Sequence, residues 1–270
     1  MNCNTNPNDV ILNYHNICIR SRDISLLTGP GDLWINDVLL GFFFTYLEHN
    51  PTSYLPSYLT NSPHCDKIAF IDPCTAKALE ILPDISPLVE HLDFNSKILL
   101  LFPINSGNGS GNGEHWSLAA IYRRPNSDKS FQVYHYDSAS NSGGLSTNSY
   151  NVKSLALNLS PVLYLNSDNH KNNFDVINVK GCPFQANGND CGIYCYTFAK
   201  RIAQNFVRHF NEKSENIVLN DIDEGVFVPG SKMDLELPIT PQFIKGERKR
   251  LFDLVLELAK TTPKPWQNGP

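Results

Sequence analysis

The chain has 270 residues, 41% of them hydrophobic and 18% charged, with 22 Lys and Arg against 27 Asp and Glu for a net charge of −5. This allows one large domain or two small ones with a sizeable core, and the lack of a strongly basic run speaks against a nucleic-acid partner. The longest apolar stretches, "VLLGFFF" and "ILLLFPI", are too short to cross a bilayer, and the polar start "MNCNTNPNDV" has no Lys or Arg and does not read as a secretory signal. Seven Cys at irregular spacing read as reduced thiols of an intracellular protein, in the cytoplasm or nucleus, rather than as a disulfide framework.

In chain order, "YHNICIR" alternates as a strand does, and "LTGPGD" is a turn cluster. Asp32 is placed to cap a helix, "LWINDVLLGFFFTYLEH", that ends at "NP". Residues 52–83 are rich in Pro, Ser and Tyr and read as loops with short helices. In "SPLVEHLDF", Ser86 is a suitable N-cap with Pro87 at the first helical position. Three strands follow, "KILLLFPIN", "HWSLAAIY" and "FQVYHYDS", separated by "SGNGSGNGE" and "RRPNSDKS", a spacing that suggests an antiparallel sheet.

The tract from Ser138 to Tyr150 reads as a loop, Val152–Leu159 as a helix and "FDVINVK" as a further strand. The clearest buried helix runs from Cys191 to Phe206, with Cys191, Cys195, Phe198, Ile202 and Phe206 on one stripe. A last helix spans about 242–259. The order predicts an α+β fold. One domain over 1–270 is expected, with a core at about 14–207 and a helical extension at about 208–263.

The Gly-rich tract 107–113, "GNGSGNG", lacks the Lys-Ser/Thr and the following helix of a phosphate loop, so it reads as a hairpin loop. Cys182, Cys191 and Cys195 lack a second pair of ligand motifs, and no metal or cofactor is expected.

A Cys in a buried helix is usually an inert small hydrophobe, and Cys195 fits that description. Cys191 instead opens its helix after "ANGND", where free backbone N–H groups and the helix dipole favour the nucleophilic thiolate. A nucleophile needs a base. His115 starts "HWSLAAIY", and Asp137 ends "FQVYHYD", so pairing of these strands sets the two side by side. His135 is the rival base, but it shares a strand face with Asp137 and has no other carboxylate so well placed. Gln185, six residues before Cys191, supplies an amide that can join the nucleophile's own N–H in stabilising an oxyanion.

The order His, Asp, Gln, Cys, with "HW" at the first and "Q…DCG" at the last, resembles the Ulp/SENP cysteine proteases, which process ubiquitin-like modifiers. "WINDVLLGFF" is similar to that family's W-L-N-D segment, with Ile35 in place of Leu. The likeness runs from about Leu27 to Val207. "FQVYHYDSASNSGG" and the compact length look most like the deneddylases.

The resemblance implies a papain-like fold with a central mixed or antiparallel sheet flanked by helices. It implies a triad of His115, Asp137 and Cys191, with Gln185 in the oxyanion hole. It also implies a narrow tunnel roofed by Trp34 and Trp116, which admits a tail without side chains and selects Gly-Gly. Core packing is the alternative for either Trp. Asn36 and Asp37 either bond the tail or cap the helix start. The implied partner is the neddylation modifier and its conjugates, such as neddylated cullins. The rivals are a SUMO- or ubiquitin-directed protease, an acetyltransferase of the same clan, and a non-catalytic module that binds modifiers.

Overall fold

The computed structural model describes residues 6–28, 33–107, 114–123, 131–139, 146–163, 176–212 and 238–262. The first strand of the sequence reading is in fact a hairpin, β1 (Val10–Tyr14) and β2 (Ile17–Arg20). His15 and Asn16 both take positive φ, 42° and 68°, and two successive left-handed residues make the tight turn that matches strand twist. The alternation continues through the turn, which hides it from pattern reading.

Helix α1 (Ser21–Thr28) leads to a strap, residues 33–36, and then to α2 (Asp37–His49). This helix begins four residues later than expected, and its cap is Asn36. The Asn36 Oδ1 accepts from Leu39 N at 3.0 Å, so the strap stays extended. Asp32 lies outside the described residues.

Residues 52–83 include a strand that periodicity did not reveal, β3 (Ile68–Phe70), as well as α3 (Pro73–Ile81), capped by Asp72. Helix α4 (Ser86–Val89) is a single turn preceded by Ile85, so Ser86 is its first residue and not its cap.

The sheet has the order β3, β4 (Leu99–Asn105), β5 (Trp116–Arg123), β6 (Phe131–Tyr136), β7 (Val176–Asn178). The three middle strands are antiparallel, as their spacing predicts, while β3 and β7 add in parallel at the edges, making the sheet mixed.

Both faces are covered, which is why β4 reads as a continuous apolar run. Leu99, Leu101, Leu118, Ala120, Tyr134 and Tyr136 pack with α2, α6 (Cys191–Glu212) and α7 (Pro241–Thr261). Leu100, Phe102, Ile104, Ala119, Ile121 and Val133 pack with α3 and α5 (Ser149–Leu163). Helices and a mixed sheet in this arrangement are an α+β fold. Among the described residues no helix is long and apolar enough to cross a membrane.

Candidate active site

Helix α6 is buried along most of its length, and Cys191 is its first residue, 2% exposed. Two features fix that end. Cys195, one turn on, points its Sγ at the Ser117 carbonyl of β5 at 3.2 Å. Gly192 lies so close to the strap that a Cβ there would meet Ile35 Cγ1 at 2.4 Å and Trp116 Cδ1 at 3.3 Å. Burial holds the Cys195 thiol well above its ordinary pKa, as expected of an inert core cysteine.

His115 immediately precedes β5. Its N–H donates to Ser106 Oγ at 3.0 Å, its carbonyl accepts from Ser106 N at 3.1 Å and from Asn148 Nδ2 at 3.4 Å. Ser106 also accepts from Glu114 N at 2.9 Å, so one hydroxyl gathers both residues that follow the Gly-rich tract. Residues 108–113 of that tract lie outside the described residues.

Asp137 directly follows β6. The register that pairs Leu118 with Tyr136, carried one step further, sets Asp137 opposite Ser117, so His115 is its diagonal neighbour. His115 Nε2 and Asp137 Oδ1 are 2.6 Å apart. The other carboxylate oxygen accepts from Ser146 Oγ, and Ala139 N donates to Oδ1 at 2.8 Å.

Burial alone disfavours both charges, but their surroundings outweigh it. Desolvation pulls the His115 pKa down, and hydrogen bonds to Asp137 and to the Cys191 thiol raise it from 6.5 to about 9. Desolvation pushes the Asp137 carboxyl up, and His115, Ser146 and Ala139 bring it from 3.8 to about 2. With Nε2 held by Asp137, Nδ1 is the ring nitrogen left for the thiol.

Gln185 is buried beside this pair. Its backbone N donates to the Ser138 carbonyl and its Oε1 accepts from Ser138 Oγ, both at 2.8 Å. The oxygen end of the amide is thereby occupied, and the NH2 end remains to donate. His135 sits elsewhere: its ring bonds Asn178 Oδ1 at 3.0 Å and Ser117 Oγ at 2.9 Å, and burial lowers its pKa.

A groove of about 700 Å³ reaches Cys191 and is lined by Trp34, Asp37, Lys77, Glu114 and Trp116 among others. Trp116 is 8% exposed and donates Nε1 to the Ile35 carbonyl at 3.1 Å. Trp34 is 46% exposed and donates Nε1 to the Gly188 carbonyl at 2.7 Å, which ties the strap to the turn before Cys191.

Of the two strap polar residues, Asn36 is engaged by capping α2 and by donating Nδ2 to Asp23 Oδ1 at 2.8 Å, so it holds the strap. Asp37 is exposed in the groove. A thiol beside an imidazole that a buried carboxylate orients is the set that acyl transfer through a thioester requires.

Residues 67–225 match the Ulp1 protease family, C-terminal catalytic domain. The chain belongs to the Ulp1 protease family. It is thus a cysteine peptidase of the class that acts on ubiquitin-like modifiers, and an acetyltransferase reading is set aside.

The chain is 26% identical over 211 residues to NEDD8-specific protease 1 of Arabidopsis thaliana, covering 75% of this chain and 79% of that one. It is 26% identical over 266 residues to the probable sentrin-specific protease 8 of Dictyostelium discoideum, covering 93% and 98%. Its fold is similar to the C-terminal Ulp1 protease domain solved in complex with Smt3, the yeast ortholog of SUMO. There the TM-score is 0.57 at 20% identity, with 94% of this chain and 90% of that chain covered. A de-sumoylating protease gives 0.60 at 17% identity, with 90% and 87% covered.

The Trp34 strap and α7 of this Ulp1-family protease both fall outside the matched span. Sequence reading missed Ser106, Ser138, Ser146 and Asn148, which brace the His, Asp and Gln positions. They sit in polar tracts where nothing local distinguishes them from turn residues. Gly192 was legible only as part of "DCG".

Proposed function

We propose that Cys191, His115, Asp137 and Gln185 are the catalytic set of this protease and that Trp34 and Trp116 clamp the glycines of a modifier tail. The observation that carries the reading is the buried His115–Asp137 pair with Cys191 among the groups that act on the imidazole. With His115 already carrying the proton, Cys191 Sγ attacks the carbonyl carbon of the terminal Gly as the thiolate. Charge collects on the carbonyl oxygen, met by the Cys191 N–H and the Gln185 amide. His115 then protonates the leaving amine, and water releases the modifier from the thioester.

The neddylation modifier is the substrate this reading favours, with precursor processing and deneddylation of conjugates such as cullins as the activities. The support is the likeness to relatives named for NEDD8 and for sentrin-specific protease 8, one of them along 93% of the chain. That modifier carries Ala where ubiquitin carries Arg, four residues before the final Gly. A subsite that leaves no partner for the Arg charge would reject ubiquitin.

The test is kcat/KM on matched fluorophore fusions of the neddylation modifier, ubiquitin and SUMO. The first is expected to lead. A SUMO-first ranking would refute the deneddylase reading and leave the family untouched, and equal rates on ubiquitin would point to dual specificity. A modifier with a C-terminal electrophile is expected to label Cys191 and no other thiol, and labelling that persists in Cys191→Ala would overturn the nucleophile.

A further inference from the structure

One guanidinium on α7 uses all five of its N–H groups on one carboxylate and three carbonyls, two of the four acceptor residues adjoining Trp34 and Cys191 in sequence. Arg248 of α7 donates Nε and Nη2 to Asp190 Oδ1 at 2.9 and 2.6 Å. Its Nη1 donates to the carbonyls of Leu26 and Leu33 at 2.9 and 3.0 Å, and Nη2 also reaches the Asn189 carbonyl at 3.3 Å. Leu33 directly precedes Trp34, and Asp190 directly precedes Cys191. A single buried side chain therefore joins the strap to the turn that carries the thiol.

Asp190 stands at the N-cap position of α6, and its carbonyl accepts from Tyr194 N at 2.9 Å. An Asp in that position ordinarily turns its carboxylate back onto the second or third helical N–H. Here the carboxylate is directed to Arg248 and to Asn187 Nδ2, the latter at 2.8 Å. It is thus held off the first turn, whose amides include that of Cys191. Lys cannot replace this arrangement, because its donors radiate from one nitrogen and cannot span four separate acceptors.

We infer that Arg248 is a positioning residue: it keeps Asp190 off the first turn of α6 and fixes the Trp34 strap and the Cys191 turn at one spacing. The inference rests on the reading of Cys191 as nucleophile and Trp34 as part of the tail clamp.

The test compares Arg248→Met, Arg248→Lys and Arg250→Met with wild type, in the 270-residue chain. Each acts on modifier fusions ending in Gly-Gly or with the penultimate Gly replaced by Ala, at a temperature where circular dichroism shows it folded. Arg250 is the control, since it sits on the same helix but bonds Glu247 and the Tyr196 hydroxyl, away from the groove.

Arg248→Met is expected to lower kcat at least tenfold with a smaller change in KM, and to narrow the preference for Gly-Gly. Arg248→Lys is expected to recover part of kcat, and Arg250→Met to keep both properties. Wild-type kcat and selectivity in folded Arg248→Met, or an equal loss in Arg250→Met, would overturn the inference. If Arg248→Met does not fold, unchanged kcat and selectivity in Arg248→Lys would overturn it. Full turnover in Cys191→Ala would instead overturn the reading beneath, whereas loss there beside unaffected Arg248 variants removes this inference alone.

Discussion

Gly192 and Ile35 stand so close that a Cβ on the glycine would lie 2.4 Å from Ile35 Cγ1, closer than nonbonded atoms tolerate. Ile35 is 2% exposed and cannot swing into solvent. Gly192→Ala is therefore expected to cost about 1–3 kcal/mol of stability, as overpacking does, and to lower turnover by displacing Trp116 or the start of α6. Ile35→Ala in the same chain removes the clashing carbon and should restore part of both. Thermal unfolding and kcat of the single and double variants check this, and an inert Gly192→Ala would contradict it.

The coupled pair predicts a pH window. The folded His115 pKa, about 9, lies above its ordinary 6.5, so its stabilisation is complete below pH 6.5 and lost as pH rises through about 9. The folded Asp137 value, about 2, lies below its ordinary 3.8, so its stabilisation is complete above pH 3.8 and lost as pH falls through about 2. The Tm gap between wild type and Asp137→Asn is expected to be widest between these ordinary values, pH 3.8 and 6.5, and to close toward pH 9. Asp137→Asn should also cut kcat by about 10²–10⁴-fold. A gap that stays constant from neutral to alkaline pH would remove the pair as its source.

His135 and His115 share a chemistry but not a setting. Replacing His135 by Leu leaves Ser117 Oγ and Asn178 Oδ1 without a ring partner, at a cost of about 1–3 kcal/mol. Turnover by the folded fraction is expected to persist, whereas His115→Ala should abolish it. The reverse pattern, read from kcat at a temperature below both transitions, would make His135 the base.

The two indoles differ in burial, so their truncations should differ too. Trp116→Ala is expected to lose about 3–5 kcal/mol along with turnover, since the ring is largely buried and bonded to Ile35. Trp34→Ala should leave Tm nearly unchanged while relaxing the demand for Gly-Gly, because nearly half its surface is open. Comparing kcat/KM on Gly-Gly and Ala-substituted tails reads the difference, and intact selectivity in Trp34→Ala would assign that ring to packing.

What the sequence made legible was whatever repeats with a short period or stands at the end of a periodic run. The middle strands, α6 and the placement of Cys191, His115 and Asp137 at element ends all followed from such patterns. The hairpin at His15 and Asn16 did not, because left-handed backbone outside Gly leaves the apolar alternation intact. The three-residue strand β3 is too short to alternate, and its identity as an edge strand is fixed by pairing with β4. Asn36 stood beside Asp32 and Asp37 as a cap candidate, and only the observed start of α2 chose among them. Arg248 reaches residues more than two hundred positions earlier, and no local window holds both ends of that contact.

The antiparallel pairing of β5 with β6 has a practical corollary. Both strands have their Trp116 and Tyr136 ends beside His115 and Asp137, and Arg123 pairs with Phe131 at the opposite end. Opening the chain there leaves His115 on one polypeptide and Asp137, Gln185 and Cys191 on the other. Neither fragment holds a complete set, and recovered hydrolysis on mixing them would report the re-formation of one strand pair, turning the protease into a complementation sensor whose signal is catalytic.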